Sequence, residues 1–391
     1  MEMHETMTMP PDPARLTQDL AALVAADSQN PPGNEQAAAE LVAGWLRAIG
    51  CEVTLQSYAP TRTGVVARLT RGAGPVFCLN THLDVVPAGE GWTSPPLQLT
   101  ERDGRLYGRG ACDAKGPLVA MVEAMRLLAA DMEGWRGTVL GVFVADEEVA
   151  SRGARHYAAS AAAIDFALVG EPTGNAVVVA HKGSLRPLVR VHGQTAHSGT
   201  PDLGDNALFA AAKLLAMIEA EHRDVIRHRT HPLVGSASLT VTRAQGGVAD
   251  NVVPDRCDLM LDRRMVPGED EDAVKRDIAA LLERARTAHG VTAEITGFQS
   301  TTGGASETDP AHPLVATCLA AARENGVAEP GPGGFTGGCD LVHFRGLGAA
   351  GAVIGPGALA VAHKPDEYVP LSELVQSAAI YRDVVRGMLP A

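Results

Sequence analysis

The first fifty residues carry apolar side chains at helical spacing, in two groups separated by a turn. Leu16, Leu20 and Leu23 fall on one face of a predicted helix. The sequence Asn-Pro-Pro-Gly at residues 30–33 then interrupts the pattern, because proline and glycine disfavour a continuous helix. A second helix is predicted after this turn, and its apolar stripe comprises Ala37, Leu41, Trp45 and Ile49.

Three dense apolar runs follow, and each is typical of a strand buried on both faces. They are Val76–Thr81, Val139–Ala145 and Phe166–Val169. A helix is predicted between the first two runs, with Pro117 near its start and apolar residues on one face from Leu118 to Leu128. Because strands alternate with helices, this part of the chain predicts a mostly parallel α/β sheet.

The pattern changes after Lys182 and regains its α/β character at Ser300. The order in between is strand, helix, two strands, helix and strand, which predicts a split βαβ, ferredoxin-like α+β module. Its predicted elements are a strand at 186–191, a helix at 206–221, strands at 237–242 and 258–263, a helix at 270–288 and a strand at 291–296. We therefore expect one α/β domain, formed by residues 1–182 and 299–391, interrupted by a smaller domain at 183–298.

Composition excludes several classes of protein. With 33 Lys and Arg against 46 Asp and Glu, the net charge is −13, so the surface repels nucleic-acid phosphates. No apolar run approaches the roughly 20 residues that span a membrane. The six cysteines form no CxxC pair, and the first twelve residues lack the pattern of a signal peptide and are expected to be disordered. A soluble, cytoplasmic protein is the expectation.

Acidic and imidazole side chains follow each predicted strand of the α/β domain. His82-Leu83-Asp84 follows the first strand, Asp146-Glu147-Glu148 the second and Glu171 the third, while a strand at 349–354 leads towards His363. In open α/β sheets, ligands bind outside the carboxyl ends of the strands. Carboxylates gathered there repel one another unless they are protonated or neutralised by a cation. The sequence thus predicts a metal site at this edge of the sheet.

The residue types narrow the choice of metal. Histidine, aspartate and glutamate without thiolates favour zinc, with cobalt or manganese as related possibilities. Since side chains alternate along a strand, His82 and Asp84 share a face, and the Asp84 carboxylate can accept a hydrogen bond from the imidazole. Asp113, in the sequence GRGACDAKG, is either a further ligand or a helix N-cap.

Five motifs appear in a fixed order along the chain. They are THLDVVPAGEGW at 81–92, LYGRGACDAKG at 106–116, ADEEVASRGA at 145–154, LVGEPT at 168–173, and GPG at 355–357 followed by AHKPDEYV at 362–369. This set resembles the co-catalytic zinc amidohydrolases and peptidases that include acetylornithine deacetylase, succinyl-diaminopimelate desuccinylase, aminoacylase and glutamate carboxypeptidase. The resemblance covers the chain from about residue 15 to its end.

The resemblance implies a role for each residue in the α/β domain. Asp113 would bridge two zinc ions, and the peptide bond after it is often cis in this family. Glu147 would be the general base; spacing alone does not choose between it and Glu148, and the family pattern makes the second glutamate the ligand. Asp84 joins the catalytic candidates through its expected hydrogen bond to His82, which the strand pattern rather than the resemblance predicts. The remaining ligands implied for the two ions are His82 and Glu171 for one, and Glu148 and His363 for the other.

The smaller domain, a lid and dimerisation domain by this resemblance, adds further candidates. His197 matches the histidine that reaches the partner subunit's active site and helps to hold the oxyanion. Asn251 and Arg264 match positions that bind a substrate carboxylate or the tetrahedral intermediate, with Arg263 as the neighbouring alternative. Gly337-Gly338-Cys339-Asp340 resembles a GGTD-type segment with Cys339 in place of threonine, and its two glycines offer backbone N–H groups to an anion.

The implied function is hydrolysis of the amide bond of an N-acyl amino acid by a homodimer with two zinc ions per subunit. A metal-bridged water, deprotonated by Glu147, would attack the amide carbon. A carboxypeptidase or dipeptidase of the same family is the alternative, because the metal ligands are the same for these reactions. A binding protein that kept the fold without catalysis is a third possibility. The expected partner is a small molecule, and neither nucleic acid nor a membrane is expected to bind.

Overall fold

The computed structural model describes residues 9–391 of the chain. Most of the predicted leader, residues 1–8, lies outside the described residues. The α-helices described are α1 (Pro13–Ala25), α2 (Gln36–Ala48), α3 (Lys115–Ala130), α4 (Arg152–Ala158), α5 (Ala207–Asp224), α6 (Glu271–His289), α7 (Pro313–Glu324), α8 (Leu341–Gly346) and α9 (Leu371–Met388). Within these residues, no helix is both long and apolar enough to cross a membrane.

The strands of residues 9–391 fall into four sheets. Their bounds are β1 (Glu52–Ala59), β2 (Arg62–Arg71), β3 (Val76–His82), β4 (Thr100–Arg102), β5 (Arg105–Tyr107), β6 (Gly137–Val144), β7 (Phe166–Val169), β8 (Val178–His181), β9 (Gly183–His192), β10 (Thr230–His231), β11 (Gly235–Ser236), β12 (Ser238–Gly246), β13 (Arg256–Met265), β14 (Ala293–Gln299), β15 (Ser306–Glu307), β16 (Gly333–Phe335), β17 (Ala350–Val353) and β18 (Tyr368–Pro370). The chain divides into two compact units, the larger formed by residues 9–179, 308–334 and 339–391 and the smaller by 180–307 and 335–338.

The larger unit is built on a mixed sheet in the order β1-β2-β6-β3-β7-β17-β8. The four central strands, β6, β3, β7 and β17, are parallel to one another, whereas the flanking pairs are antiparallel. The prediction of a central, mostly parallel sheet is therefore confirmed. Every residue of β6 is buried, as expected for a strand covered on both faces. The antiparallel hairpin of β1 and β2 was not among the predicted elements.

Helix α2 forms where predicted, but the predicted face is wrong. The expected stripe of Ala37, Leu41, Trp45 and Ile49 is only partly buried or exposed. The buried face is displaced by one position, onto a side that carries three alanines, and the helix packs against β1, β2 and α3. The buried face consists of Ala38, Ala39, Val42, Ala43 and Leu46.

Two buried charges fasten α1 to α3. The Lys115 ammonium donates to the carbonyls of Leu23 and Ala26 at 2.8 and 3.0 Å, which meets the need for partners at the end of α1. The buried Glu123 carboxylate accepts from Arg15 and from the backbone N–H of Asp12. Asp12 is the N-cap of α1, so this last residue of the predicted leader belongs to the helix start.

The smaller unit contains the predicted ferredoxin-like order of elements. Its sheet runs β12-β13-β9-β14, and every pair is antiparallel. Helices α5 and α6 contribute Leu214, Ile218 and Leu281 to an apolar core that also holds Val189 and Leu259 of the sheet. Strand β12 lies at one edge of this sheet.

Gly183 offers a test of packing in the smaller unit. A Cβ atom there would lie 2.4 Å from the backbone nitrogen of Ala305 and 2.5 Å from the carbonyl carbon of Gly304. Gly183→Ala should therefore lower stability by about 1–3 kcal/mol, since the segment at 303–305 is held against β9 by the hydrogen bond from the Ser184 N–H to the Gly303 carbonyl and would have to shift. The matched control is Gly297→Ala in β14, where a Cβ meets nothing within 4 Å. Urea unfolding of both variants measures the difference; equal midpoints would contradict the packing argument.

Candidate metal centre

The strand ends of the larger unit bring the predicted ligands together at one edge of the sheet. Strand β3 ends at His82, β6 leads into Glu147 and Glu148, and β7 leads into Glu171. In the folded chain, His82, Asp113 and Glu171 offer ligand atoms that all lie within 4.8 Å of one another. A second group with the same spacing consists of Asp113, Glu148 and His363. Asp113 belongs to both groups.

The two oxygens of Asp113 face different imidazoles. Oδ1 lies 3.1 Å from Nε2 of His82, and Oδ2 lies 3.2 Å from Nε2 of His363. The same His363 nitrogen is 3.1 Å from Oε2 of Glu148. The other carboxylate oxygen of Glu148, Oε1, is buried without a hydrogen-bond partner. A carboxylate shared between two ligand groups and a buried oxygen that lacks a donor both fit a pair of metal ions.

The electrostatics of the cluster indicate a shortage of positive charge. Burial and the charge of Glu171 raise the pKa of Glu147 well above its usual value, and burial and the charge of Asp113 raise that of Glu171. Hydrogen bonds to Asp113 and Glu148 raise the pKa of His363 to about 10. Protons thus compensate the carboxylates when no cation does, and divalent cations are the usual alternative.

A buried ion pair holds the segment that carries Asp113. The Glu367 carboxylate accepts hydrogen bonds from the backbone N–H groups of Cys112 and Asp113 at 2.9 and 3.0 Å. Glu367 is paired with the buried Arg109, which also donates to the carbonyl of Ala88. The peptide bond between Asp113 and Ala114 is cis. Because Ala114 is the N-cap of α3, the alternative that Asp113 caps this helix is wrong.

Asp84 makes different contacts from those expected. The Nδ1 atom of His82 lies 2.8 Å from the backbone carbonyl of Asp84, while the carboxylate oxygen is 3.6 Å away, beyond a hydrogen bond. A carbonyl can only accept, so Nδ1 carries the proton and Nε2 is left free to face Asp113. The Asp84 carboxylate instead accepts from the backbone N–H groups of Glu147 and Glu148 at 3.1 and 3.2 Å.

A model of the peptidase family M20/M25/M40 matches residues 78–387. The chain belongs to this family. An acetylornithine deacetylase from Myxococcus xanthus is 34% identical over 303 residues, 76% of this chain and 76% of that protein.

Solved structures share the fold. The aminopeptidase PepT from Bacillus cereus has a TM-score of 0.79 at 20% identity, over 97% of this chain and 99% of that one. The YXEP protein of Bacillus subtilis, a dinuclear metal binding peptidase from the M20 family, has a TM-score of 0.72 at 16% identity, over 97% and 99% of the two chains.

These findings confirm the resemblance noted in the sequence. Membership of the M20/M25/M40 family makes the protein a metal-dependent hydrolase of amide bonds. The reading as a binding protein without catalysis is accordingly set aside. The two ligand groups together comprise five residues, and these are the five for which the motifs predicted metal binding.

Two of the predicted residues of the smaller unit are neighbours. His197 is exposed, and its Nδ1 accepts from the backbone N–H of Gly199 at 2.9 Å. A β-bridge joins His197 to Val252, and the carbonyl of Asn251 accepts from the backbone N–H of Ser198. The imidazole Nε2 and the Asn251 side chain therefore belong to one exposed surface of this unit.

The two neighbouring arginines have different surroundings. Arg263 is 1% exposed and donates to Glu269 and to the carbonyl of Arg264. Arg264 is partly exposed, and its Nε donates to Asp262 at 2.8 Å. Because Arg263 is enclosed by internal partners, only Arg264 presents a guanidinium to solvent.

The glycine-rich segment is closely packed. A Cβ at Gly337 would lie 2.8 Å from the Phe335 ring, and one at Gly338 would lie 3.1 Å from the Cβ of Thr302. Cys339, in place of the family's usual threonine, is fully buried. The close packing accounts for the small residues here without any reference to a ligand.

The shared carboxylate leads to a prediction about metal binding. Asp113→Ala should reduce the affinity for both metal ions, because each ligand group loses a member. His82→Ala or His363→Ala should weaken mainly one ion, by a factor of about 10–100 or more. Mass spectrometry of the folded variants gives the number of metal ions bound, and metal titration gives their affinities. If Asp113→Ala still binds two ions with unchanged affinity, Asp113 is not shared between them.

Proposed function

We propose that the protein removes the acyl group from an N-acyl amino acid, as an acetylornithine deacetylase or a related succinyl-diaminopimelate desuccinylase would. The observation that carries this proposal is the pair of ligand groups sharing Asp113, with Glu147 next to the ligand Glu148. The relative from Myxococcus xanthus, named acetylornithine deacetylase, supports the choice of substrate class.

The five ligands suit two zinc ions, with cobalt or manganese as substitutes. His82 and Glu171 would hold one ion, Glu148 and His363 the other, and Asp113 both. The dinuclear binding of the Bacillus subtilis neighbour supports this assignment. When bound, such ions polarise the amide carbonyl and favour the deprotonation of water.

The residues of the chain would divide the remaining chemistry. Glu147 takes a proton from the attacking water and passes it to the leaving amine, which a carboxylate with a raised pKa can do in both directions. The Asp84 carboxylate keeps Glu147 in place by accepting a hydrogen bond from the backbone N–H of Glu147. In the smaller unit, His197 would stabilise the oxyanion, and Asn251 and Arg264 would bind a substrate carboxylate. Backbone N–H groups of Gly337 and Gly338 are further candidates for contact with an anionic group.

The proposal includes a homodimer formed through the smaller unit. Strand β12 lies at the edge of its sheet, so one side of its backbone has no neighbouring strand. The β12 strand of a second copy would pair with it across a two-fold axis and extend the sheet. Leu208 and Phe209 at the start of α5 and Val248 after β12 are exposed and apolar, and a partner would cover them. We also propose a cytoplasmic location, which agrees with six buried cysteines that form no disulfide.

The role of Glu147 can be tested directly. Glu147→Ala should keep both metal ions and lose at least about 10²-fold in turnover, because only the proton transfer is removed. The neighbouring Glu148→Ala is the comparison, and it should lose metal affinity. Turnover of N-acetyl amino acids and metal stoichiometry are measured on both. If Glu147→Ala lost a metal ion and recovered activity when metal was added, the roles of the two glutamates would be exchanged.

A substrate panel separates the candidate reactions. N-acetylornithine, N-succinyl-diaminopimelate, other N-acetyl amino acids and dipeptides are assayed with added zinc or cobalt. We expect the highest kcat/KM for an N-acyl amino acid. Faster cleavage of dipeptides would instead assign the protein to the carboxypeptidase or dipeptidase alternative.

Subunit mixing tests whether His197 acts across a dimer. Glu147→Ala and His197→Ala should each be nearly inactive alone. After subunit exchange, a hybrid dimer contains one site with both residues intact, so activity should return up to half of the native value per dimer. Demonstrated exchange without any recovered activity would show that His197 does not act in the partner's site.

The proposed contact of Arg264 is tested with the charge of the substrate. Replacing the substrate carboxylate by an amide should slow hydrolysis by the native protein, because a planar guanidinium pairs best with a carboxylate. Arg264→Ala should then lose more activity on the charged substrate than on the amide. Equal losses on both would remove Arg264 from carboxylate recognition.

A further inference from the structure

A buried polar network lies behind the turn formed by Asp146, Glu147 and Glu148, which we call the base turn. We propose that Arg62 is a positioning residue that holds the base turn in place through Asn30 and Asp84. The inference rests on the proposed function only in giving Glu147 the role of base. Arg62 lies outside all five sequence motifs, on strand β2.

Arg62 contacts the base turn directly. Its Nη2 donates to Oδ1 of Asp146 at 2.6 Å. The same nitrogen lies 3.1 Å from Oε1 of Glu35, at the start of α2. Both carboxylates are at least nine-tenths buried, and Arg62 is itself only 12% exposed at its side chain. One guanidinium therefore neutralises two buried acids that lie on different segments of the chain.

Asn30 extends the contact to the rest of the turn. Nη1 of Arg62 donates to the side-chain oxygen of Asn30 at 3.2 Å, which orients the amide. The Asn30 amide nitrogen then donates to Asp146 at 2.9 Å and to Oδ2 of Asp84 at 2.8 Å. Asp84 in turn accepts the backbone N–H groups of Glu147 and Glu148. An unbroken series of hydrogen bonds thus leads from Arg62 to the base and to a metal ligand.

Three buried acids lie around the hydrogen-bonded series and need the positive charge of Arg62. Glu35, Asp146 and Asp84 are all buried, and neither oxygen of Glu35 has a hydrogen-bond donor. Arg152 also approaches Asp146, at 3.4 Å, but its side chain is mostly in solvent and screens weakly. Without Arg62, Asp146 and Glu35 would lose their buried counter-ion, and the base turn would move to bring Asp146 towards water.

The shape of the guanidinium also matters. Its two terminal nitrogens serve different partners: Nη1 donates to Asn30 and to the carbonyl of Pro32, whereas Nη2 donates to Asp146 and forms an ion pair with Glu35 at 3.1 Å. A lysine ammonium is a single point of charge and cannot reach both sets of partners. Arg62→Lys should therefore restore the charge but only part of the alignment.

The experiment compares Arg62→Met, Arg62→Lys and Arg68→Met. Arg68 is an exposed arginine of the same strand and is the matched control. We expect Arg62→Met to lower kcat about 10- to 100-fold while KM changes less than about threefold, because the base is displaced but the substrate contacts remain. Arg62→Lys should fall between Arg62→Met and the native protein, and Arg68→Met should behave like the native protein.

Metal binding supplies a readout that needs no substrate. Each variant is freed of metal and titrated with cobalt. In Arg62→Met, one of the two cobalt ions should bind about 10-fold more weakly, because its ligand Glu148 belongs to the base turn. Binding of the other ion, which depends on residues of other loops, should change by less than about threefold. If Arg62→Met matches Arg68→Met in both kcat and cobalt binding, the proposal is wrong.

A double variant provides a control in case Arg62→Met fails to fold. The double variant Arg62→Met with Glu35→Gln removes one buried acid together with its counter-ion, so it should be more stable than Arg62→Met alone. It should keep the lowered kcat and the weakened cobalt binding, since Asn30 is still released. Full recovery of both would show that Arg62 serves stability alone. If the native protein does not cleave N-acyl amino acids, the proposed function fails, yet the cobalt titration still decides the role of Arg62.

Discussion

The mutual repulsion of buried carboxylates is the constraint on which the larger unit depends. Parallel strands deliver Glu147, Glu148 and Glu171 to one edge of the sheet, where Asp113 joins them. In a region with little water, these charges are tolerable only beside protons or cations. The two histidines of the ligand groups fall short of this need, as the raised pKa values of Glu147, Glu171 and His363 indicate. In the proposed function, a pair of divalent cations meets it.

Two arginines, the buried Arg109 and the partly buried Arg62, compensate further carboxylates behind the ligands. Arg109 pairs with Glu367, whose carboxylate fixes the backbone N–H of Asp113. Arg62 pairs with Asp146 and, through Asn30, supports the Asp84 carboxylate. In both places, an acid accepts backbone N–H groups of a ligand-bearing segment and an arginine stabilises the arrangement. The positions of the ligands therefore follow from hydrogen bonds to the main chain, which a change of side chain in the segment itself would not remove.

The fold and the ligands could be predicted because their signals are local. Apolar runs that end in acidic groups predicted β3, β6 and β7, and the motifs pointed to all five ligands. The buried face of α2 could not be predicted from its large apolar side chains, because alanines are buried whereas Leu41 and Trp45 are only partly buried. Apolar and polar residues also alternate in β1 and β2, a pattern typical of half-buried strands. Asn30 and Arg62 are 54 and 84 residues from the acids they contact, Asp84 and Asp146, and no local pattern connects them.

The residues that we propose for the chemistry of the reaction and those that we propose for substrate contact belong to different parts of the chain. Every candidate metal ligand and the candidate base belong to the larger unit, whose ligand groups suit deacylation and peptide cleavage equally. His197, Asn251 and Arg264, the candidates for substrate contact, belong to the smaller unit. On the proposed division of roles, a substrate can change through the smaller unit while the charge balance of the larger unit stays intact. A relative named as a deacetylase and neighbours named as peptidases share one fold, as this division leads one to expect.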